Sequence, residues 1–201
     1  PHRIFYDRKY LLDYYLDLAQ IAKNESKNMF KVGINLILFD VYGSLAIAKS
    51  AGLDFVAVDE FVNPIECSKE EASFDHSLIF NPNPASVRDF QGNINAKNII
   101  ILGGSHSNYY PIVGKVDFET SVKKAATNSA AAVILGKDNS CLYSSGGKFT
   151  IPVMVSGGIK YEDINWIKKD KFRGFLAGSL FEEKFGVIDP RKVESVLEVI
   201  K

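Results

Sequence analysis

Apolar residues occur along the chain in short, nearly continuous runs, with polar, helix-compatible stretches between them. The runs are FKVGINLILF (30–39), LDFVAV (53–58), NIIIL (98–102), AAAVIL (130–135), IPVMV (151–155) and RGFLAG (173–178). Strands that are covered by helices on both faces have this composition, as in a parallel sheet. The pattern therefore predicts about six buried, parallel strands.

The stretches between these runs carry helical patterns. An amphipathic helix is predicted for residues 8–26, where apolar side chains recur at spacings of three and four. Further helices are predicted at 44–51 before Gly52, from Asn83-Pro84 to about 90, at 117–129, at 161–169 and from Asp189-Pro190 onward. Strands that alternate with helices indicate an α/β fold, and no linker divides the chain, so we predict one domain over residues 1–201.

Two architectures fit this alternation. A doubly wound sheet needs five or six strands, whereas a (β/α)₈ TIM-type barrel needs eight. Strand–helix units that begin with a helix fit a barrel that lacks its first βα unit and its second strand. The first residue, Pro1, is not a methionine, which agrees with a missing beginning. The spacing of the runs does not choose between the two.

Glycine and serine follow the last two predicted strands. Ser156, Gly157 and Gly158 come after IPVMV, and Gly178 and Ser179 follow GFLA within GFLAGSLF. In phosphate-binding barrels, the loops after strands seven and eight form one anion site from backbone N–H groups. We predict that these five residues bind a phosphate, which favours the barrel; the alternative is a pair of tight turns without a ligand.

Titratable side chains follow the other predicted strands. They are Asp40, Asp59 with Glu60, His106, and Lys137 with Asp138. Active sites of barrels lie at this end of the strands, so we predict Asp59 and His106 as acid or base and Asp40 as a positioning residue. Each has a simpler interpretation: Asp40 could cap a helix, and His106 could be a hydrogen-bonding surface residue.

Two long segments follow strands. Residues 61–82 and 104–117 exceed the usual length of a loop between a strand and a helix. Such loops often line or cover a pocket, and we predict that role here. An insertion without function is the alternative.

Composition narrows the classes of function. The 24 basic and 24 acidic residues balance, which gives no reason to propose a nucleic-acid or anionic-membrane partner. No apolar run reaches the length of a membrane span, and two cysteines without a CxxC motif favour a reducing, cytoplasmic setting. We predict no cofactor and no metal, because the rim carboxylates lack any ligand spacing for Mg²⁺. Apolar edges of an incomplete barrel would favour a homo-oligomer.

Five segments together resemble one protein family. They are KVGINLILFD (31–40), GSLAIAKSAGLDFVAVD (43–59), HSNYYPI (106–112), VSGGIKYEDIN (155–165) and LAGSLFEEKFGVIDPRKVESVL (176–197). These segments resemble motifs of the BtpA family of (β/α)₈-barrel proteins, which includes SgcQ-like proteins. The last segment is the most specific match, because a strand, a charged loop and an Asp-Pro helix start all agree.

The resemblance carries over two functional positions. Asp40 matches the final residue of the family's Arg-Asn-Asp motif, where Leu38 and Phe39 replace the other two. His106 matches the histidine of the family's loop, and the family's first motif has no counterpart in this chain. The resemblance implies a barrel but little chemistry, since members are tied to photosystem I biogenesis or occur with sugar-metabolism proteins.

These observations lead to three hypotheses of function. The first is a BtpA/SgcQ-like barrel that binds a phosphorylated small molecule, such as a sugar phosphate, with an undefined reaction. The second is a non-enzymatic assembly or biogenesis factor on the same scaffold. The third is a phosphosugar isomerase, aldolase or synthase of another barrel family.

Overall fold

The computed structural model describes residues 8–36, 40–67, 78–81, 83–106, 110–128, 132–139, 151–169, 172–184 and 187–200. The helices in these ranges are α1 (Arg8–Ser26), α2 (Val41–Ala51), α3 (Pro84–Asn93), α4 (Phe118–Asn128), α5 (Asp163–Lys169) and α6 (Pro190–Ile200). The strands are β1 (Gly33–Ile34), β2 (Phe55–Val58), β3 (Ile65–Cys67), β4 (Leu78–Phe80), β5 (Ile100–Ser105), β6 (Ala132–Gly136), β7 (Val153–Ser156), β8 (Gly174–Leu176), β9 (Glu182–Lys184) and β10 (Val187–Ile188). Parts of two predicted strands (37–39 and 130–131) and of both long loops (68–77, 82 and 107–109) lie outside the described residues.

The main sheet has six strands in the order β1-β2-β5-β6-β7-β8, and every neighbouring pair is parallel. Residues of both edge strands, β1 and β8, line one cavity, so the sheet is curled. The prediction of an α/β fold with a parallel sheet is confirmed. The curled, open sheet corresponds to part of a barrel, and which strands of a complete barrel it contains stays a prediction.

The middle of the sheet forms the core. Every residue of β6 is buried, because strands flank it on both sides and helices cover the sheet. Leu45 of α2 and Val133 of β6 are 0% exposed and belong to the same apolar cluster. The continuous apolar runs of the sequence are therefore explained by burial on both faces.

Some predicted helix ends agree with the structure, whereas α2 begins at Val41 rather than at residue 44 because Asp40 caps it. Gly52 ends α2 in the left-handed conformation, with φ of 66°, and its N–H donates to the carbonyl of Ala48. The side chain of Asn83 accepts from the N–H of Ser86 at the start of α3. By contrast, α5 begins at Asp163 rather than at residue 161, because residues 161–162 form a turn.

The two long loops lie against each other beyond β2 and β5. The first contains the antiparallel pair β3–β4, and Ile65 forms a β-bridge with Ile112 of the second. The N–H of Glu66 donates to the carbonyl of Pro111, and the N–H of Val113 to that of Pro64. Main-chain hydrogen bonds thus join the two segments for which the sequence predicted long loops.

Candidate functional site

A cavity of about 520 Å³ opens at the carboxyl ends of β1, β2, β7 and β8. It brings together one predicted catalytic residue, Asp59, and all the residues that we predicted to bind phosphate. The latter are Ser156, Gly157, Gly158, Gly178 and Ser179. Residues from the two edges of the sheet meet here because the sheet curls.

The turn after β7 depends on its two glycines. Gly157 has a φ of 83° and Gly158 a φ of 60°, a left-handed conformation that other residues rarely adopt. No atom lies within 4 Å of the position that a Cβ would take at Gly158 or at Gly178. The two turns therefore leave open space beside exposed backbone, as a bound anion would need.

A second cavity of about 640 Å³ adjoins the first, with Gly158, Ile159 and Ser179 common to both. Three basic side chains line it: Lys160, Arg191 and Lys192. Its described lining contains no acidic residue, although Asp189 pairs with Arg191 at 3.2 Å. The glycine turns thus lie between a cavity that Asp59 and Glu182 line and a cavity with three basic side chains, of which Arg191 is paired with Asp189.

Asp59 is placed by the main chain and by one side chain. It directly follows β2, and a Cβ at Gly104 of β5 would overlap its carbonyl oxygen. The side-chain amide of Asn35 donates to Asp59 Oδ1 at 2.8 Å. Burial raises the pKa of the Asp59 carboxyl, and the hydrogen bond from Asn35 opposes this shift. A carboxyl with a raised pKa is suited to acid–base work.

Asp40 has a structural position. Its carboxylate accepts from the N–H of Gly43 at 2.8 Å, which makes it the N-cap of α2. It is not among the described residues that line either cavity. Any effect of Asp40 on a ligand in these cavities would pass through the position of α2.

His106 lies one strand further along the sheet and does not belong to the described lining of either cavity. It follows β5 in a left-handed conformation, with φ of 58°, which is uncommon outside glycine. Its Nδ1 is 3.0 Å from Ser105 Oγ, and its ring packs edge-on against Phe118. Burial lowers the pKa of His106, and the charge of Asp117 opposes this shift, so the fold favours the neutral imidazole.

Two other rim residues are held within the fold. Lys137 pairs with Asp163 at 2.7 Å and also donates to the carbonyl of Gly158 at 3.4 Å. Trp166 Nε1 donates to the same carboxylate of Asp163 at 3.0 Å. Lys137 therefore fixes the end of β6 to the start of α5. Glu60 is fully buried and accepts from the side chain of Asn63 at 3.0 Å.

Sequence patterns did not identify several residues at these cavities. Asn35 is a polar residue inside an otherwise apolar run, which is the signal that could have indicated it. Arg191 and Lys192 lie in the first turn of α6, where the helix dipole disfavours cations. Basic residues at such a position are a signal that they serve a purpose other than helix stability.

Among the described residues, no group of three or more His, Cys, Asp or Glu side chains could hold a metal ion. The rim carboxylates that the sequence placed near one another thus do not gather into one cluster there. In the same part of the chain, no helix has the length and apolar character needed to cross a membrane.

Comparisons with known proteins give structural neighbours only. No family model and no curated protein matches the chain. A chain of the tryptophan synthase α2β2 complex from Pyrococcus furiosus is similar over 70% of this chain and 48% of its own, with 17% identity and a TM-score of 0.44. Nitroalkane oxidase from Streptomyces ansochromogenes is similar over 90% and 50%, with 14% identity and a TM-score of 0.42. The chain spans about half the length of each.

Proposed function

We propose that this protein binds a phosphorylated small molecule, such as a sugar phosphate, at the junction of the two cavities. The observation that carries the proposal is the position of the glycine turns after β7 and β8, which border both cavities at Gly158 and Ser179. The open space at Gly158 and Gly178 lets a ligand approach the backbone there.

The charges around the junction support the orientation of such a ligand. Lys160, Arg191 and Lys192 lie on one side of the glycine turns and favour the phosphate there. Asp59 lies on the other side, in the cavity at the ends of β1 and β2. The phosphate would therefore occupy the basic side, and the rest of the molecule would extend towards Asp59.

Asp59 favours an enzyme over an assembly factor. A carboxyl at the rim of a cavity whose pKa is raised by burial is a candidate acid or base. We assign Asp59 the role of acid or base, with Asn35 orienting it through the 2.8 Å hydrogen bond. The resemblance to the BtpA family is part of this proposal and implies the barrel scaffold but no particular reaction.

Substituting Gly178 tests the phosphate site. Gly178→Ala adds a methyl group where no protein atom lies within 4 Å, so the fold should tolerate it, while the methyl group enters the ligand's space. We expect at least about a tenfold weaker affinity for ribose 5-phosphate and for inorganic phosphate, measured by isothermal titration calorimetry, which corresponds to about 1.4 kcal/mol.

Gly92→Ala is the matched control, because Gly92 lies in α3, and the nearest atom to its added Cβ would be Lys97 Cε at 3.7 Å. The affinity of Gly92→Ala for both phosphate probes should equal that of the unchanged protein. The proposal is wrong if the unchanged protein binds neither probe, or if Gly178→Ala binds both as tightly as Gly92→Ala does.

A further inference from the structure

A buried chain of polar side chains leads from Glu60 to His106. Glu60, Asn63, Ser105 and Ser121 are each at most 2% exposed. Asn63 Nδ2 lies 3.0 Å from Glu60 Oε1 and 3.5 Å from Ser105 Oγ, and Ser105 Oγ lies 3.0 Å from His106 Nδ1. Polar groups in such a place must find partners, so each donor and acceptor can be assigned.

The orientation of the Asn63 amide follows from Glu60. Glu60 Oε1 accepts from the backbone N–H groups of Val62 and Asn63, at 3.4 and 3.1 Å, so this oxygen is an acceptor. The side-chain atom of Asn63 that faces it must then be the NH₂ group. The amide oxygen of Asn63 lies on the other side, where it accepts from the hydroxyl of Ser121.

The amide of Asn63 in turn orients the hydroxyl of Ser105. One hydrogen of its NH₂ group is directed to Glu60, and the second reaches Ser105 Oγ, which therefore accepts. A serine hydroxyl has a single hydrogen, and the neighbour left for it is His106 Nδ1 at 3.0 Å. Nδ1 is thus an acceptor, and the proton of a neutral imidazole is on Nε2.

We propose that the buried residues Glu60, Asn63 and Ser105 fix the tautomer of His106, so that its neutral ring is a hydrogen-bond donor through Nε2. Ser105 and Asn63 are positioning residues in this arrangement, since they act through the imidazole. Its left-handed backbone and the packing against Phe118 hold the ring in the same place. Backbone strain of this kind is found at functional sites more often than elsewhere.

The tautomer decides what His106 can do. A neutral imidazole with the proton on Nε2 can donate to an oxygen, such as a carbonyl or hydroxyl group, but it cannot accept a proton at that nitrogen. His106 would then be a donor, and a proton-accepting role at this rim would fall to Asp59, which directly follows the neighbouring strand β2. Because His106 lies outside the described lining of both cavities, its tautomer does not depend on the proposed function.

Nitrogen NMR of the ligand-free protein tests the proposal. The chain has three histidines, and a His106→Gln variant identifies which signals of ¹⁵N-histidine-labelled protein belong to His106. Well above the usual histidine pKa of about 6.5, we expect a single tautomer with Nε2 protonated and Nδ1 unprotonated. A ring with its proton on Nδ1, or an even mixture of tautomers, would overturn the proposal.

Ser105→Ala removes the donor to Nδ1, so we expect the single-tautomer pattern to be lost and the pKa of His106 to rise. Ser44→Ala is the matched control, since Ser44 is also buried but lies on α2, and it should leave the His106 signals unchanged. Identical His106 spectra in both variants would count against the role of Ser105. If Ser105→Ala does not fold, the spectrum of the unchanged protein still decides, and no outcome depends on phosphate binding.

Discussion

At the scale of single residues, close packing rather than charge places Asp59. The main chain turns at Asp59 directly over Gly104 of β5, and the N–H of Phe61 donates to the carbonyl of Gly104 at 2.9 Å. A side chain at Gly104 would overlap the carbonyl oxygen of Asp59. Glycine is required here by the approach of two backbone segments, which is a need that only the folded chain creates.

Substituting Gly104 should therefore disturb both stability and the site. We expect Gly104→Ala to lower the free energy of unfolding by about 1–3 kcal/mol, as overpacking of a core does, measured by urea denaturation. Gly92→Ala in α3 is the control and should be neutral or raise stability by up to about 1 kcal/mol. Equal stability of the Gly104→Ala variant and the unchanged protein would show that the backbone at Asp59 can move aside.

At the scale of elements, one carboxylate joins α1 to the start of the sheet. Asp54 accepts from Lys23 of α1 at 2.8 Å, from Lys31 at 2.9 Å and from the N–H of Val32 at 3.0 Å. Its own N–H donates to the carbonyl of Val32. These bonds hold α1 and the segment that leads into β1 against β2.

This arrangement predicts how stability depends on pH. The hydrogen bond from Lys23, then the N–H of Val32 and Lys31, hold the pKa of Asp54 well below its usual range. A depressed folded-state pKa contributes stability above the unfolded-state pKa, near 3.9, and this contribution is lost as pH falls below it. We expect the unfolding free energy of the unchanged protein to drop between about pH 5 and pH 3 by more than that of Asp54→Asn.

The measurement is urea denaturation at a series of pH values. Asp13→Asn removes an exposed carboxylate of α1 and serves as the control, which should follow the pH dependence of the unchanged protein. If the free energy of unfolding of Asp54→Asn and of the unchanged protein fell equally with pH, the bonds of Asp54 would not contribute to stability in acid.

Across the molecule, the sheet is better paired in its middle than at its edges. Among the described residues, β5, β6 and β7 each have two neighbouring strands, whereas β1 and β8 have one. Several large apolar side chains are exposed on α1, on the turn after it and on α6: Tyr14, Leu18, Ile21, Met29, Phe30, Leu197 and Ile200. The expectation of a homo-oligomer stays a prediction, and these surfaces are where an association would bury apolar area.

The exchange rate of backbone amide protons should differ between the middle and the edge strands of the sheet. We expect amide protons of β5, β6 and β7 to exchange slowest and those of β1 to exchange much faster, because an edge strand opens without disrupting the core. Mass spectrometry of exchanged peptides measures this. Protection of β1 equal to that of β6 would contradict an open edge in solution, and sedimentation velocity would then show whether a second copy covers it.

Local patterns in the sequence were enough to predict those features of the fold that depend on neighbouring residues. Continuous apolar runs predicted the buried strands, and Gly52, Asn83 and Asp189 marked helix ends, because a cap acts within a few residues. The turns after β7 and β8 were predicted from their glycines for the same reason, because a turn also depends on neighbouring residues. In the described part of the first predicted run, the paired residues are Gly33 and Ile34, so this strand end was less well predicted.

Contacts between side chains that are distant in sequence became visible in the folded chain alone. Asn35 reaches Asp59 across 24 residues of sequence, and Lys137 reaches Asp163 across 26. The bond from Asn63 to Ser105 spans 42 residues. Such pairs depend on strand order and on the curl of the sheet, which no local pattern encodes. The residue types at the rim were therefore visible in the sequence, whereas their division among two cavities, a buried polar chain and structural ion pairs came from packing alone.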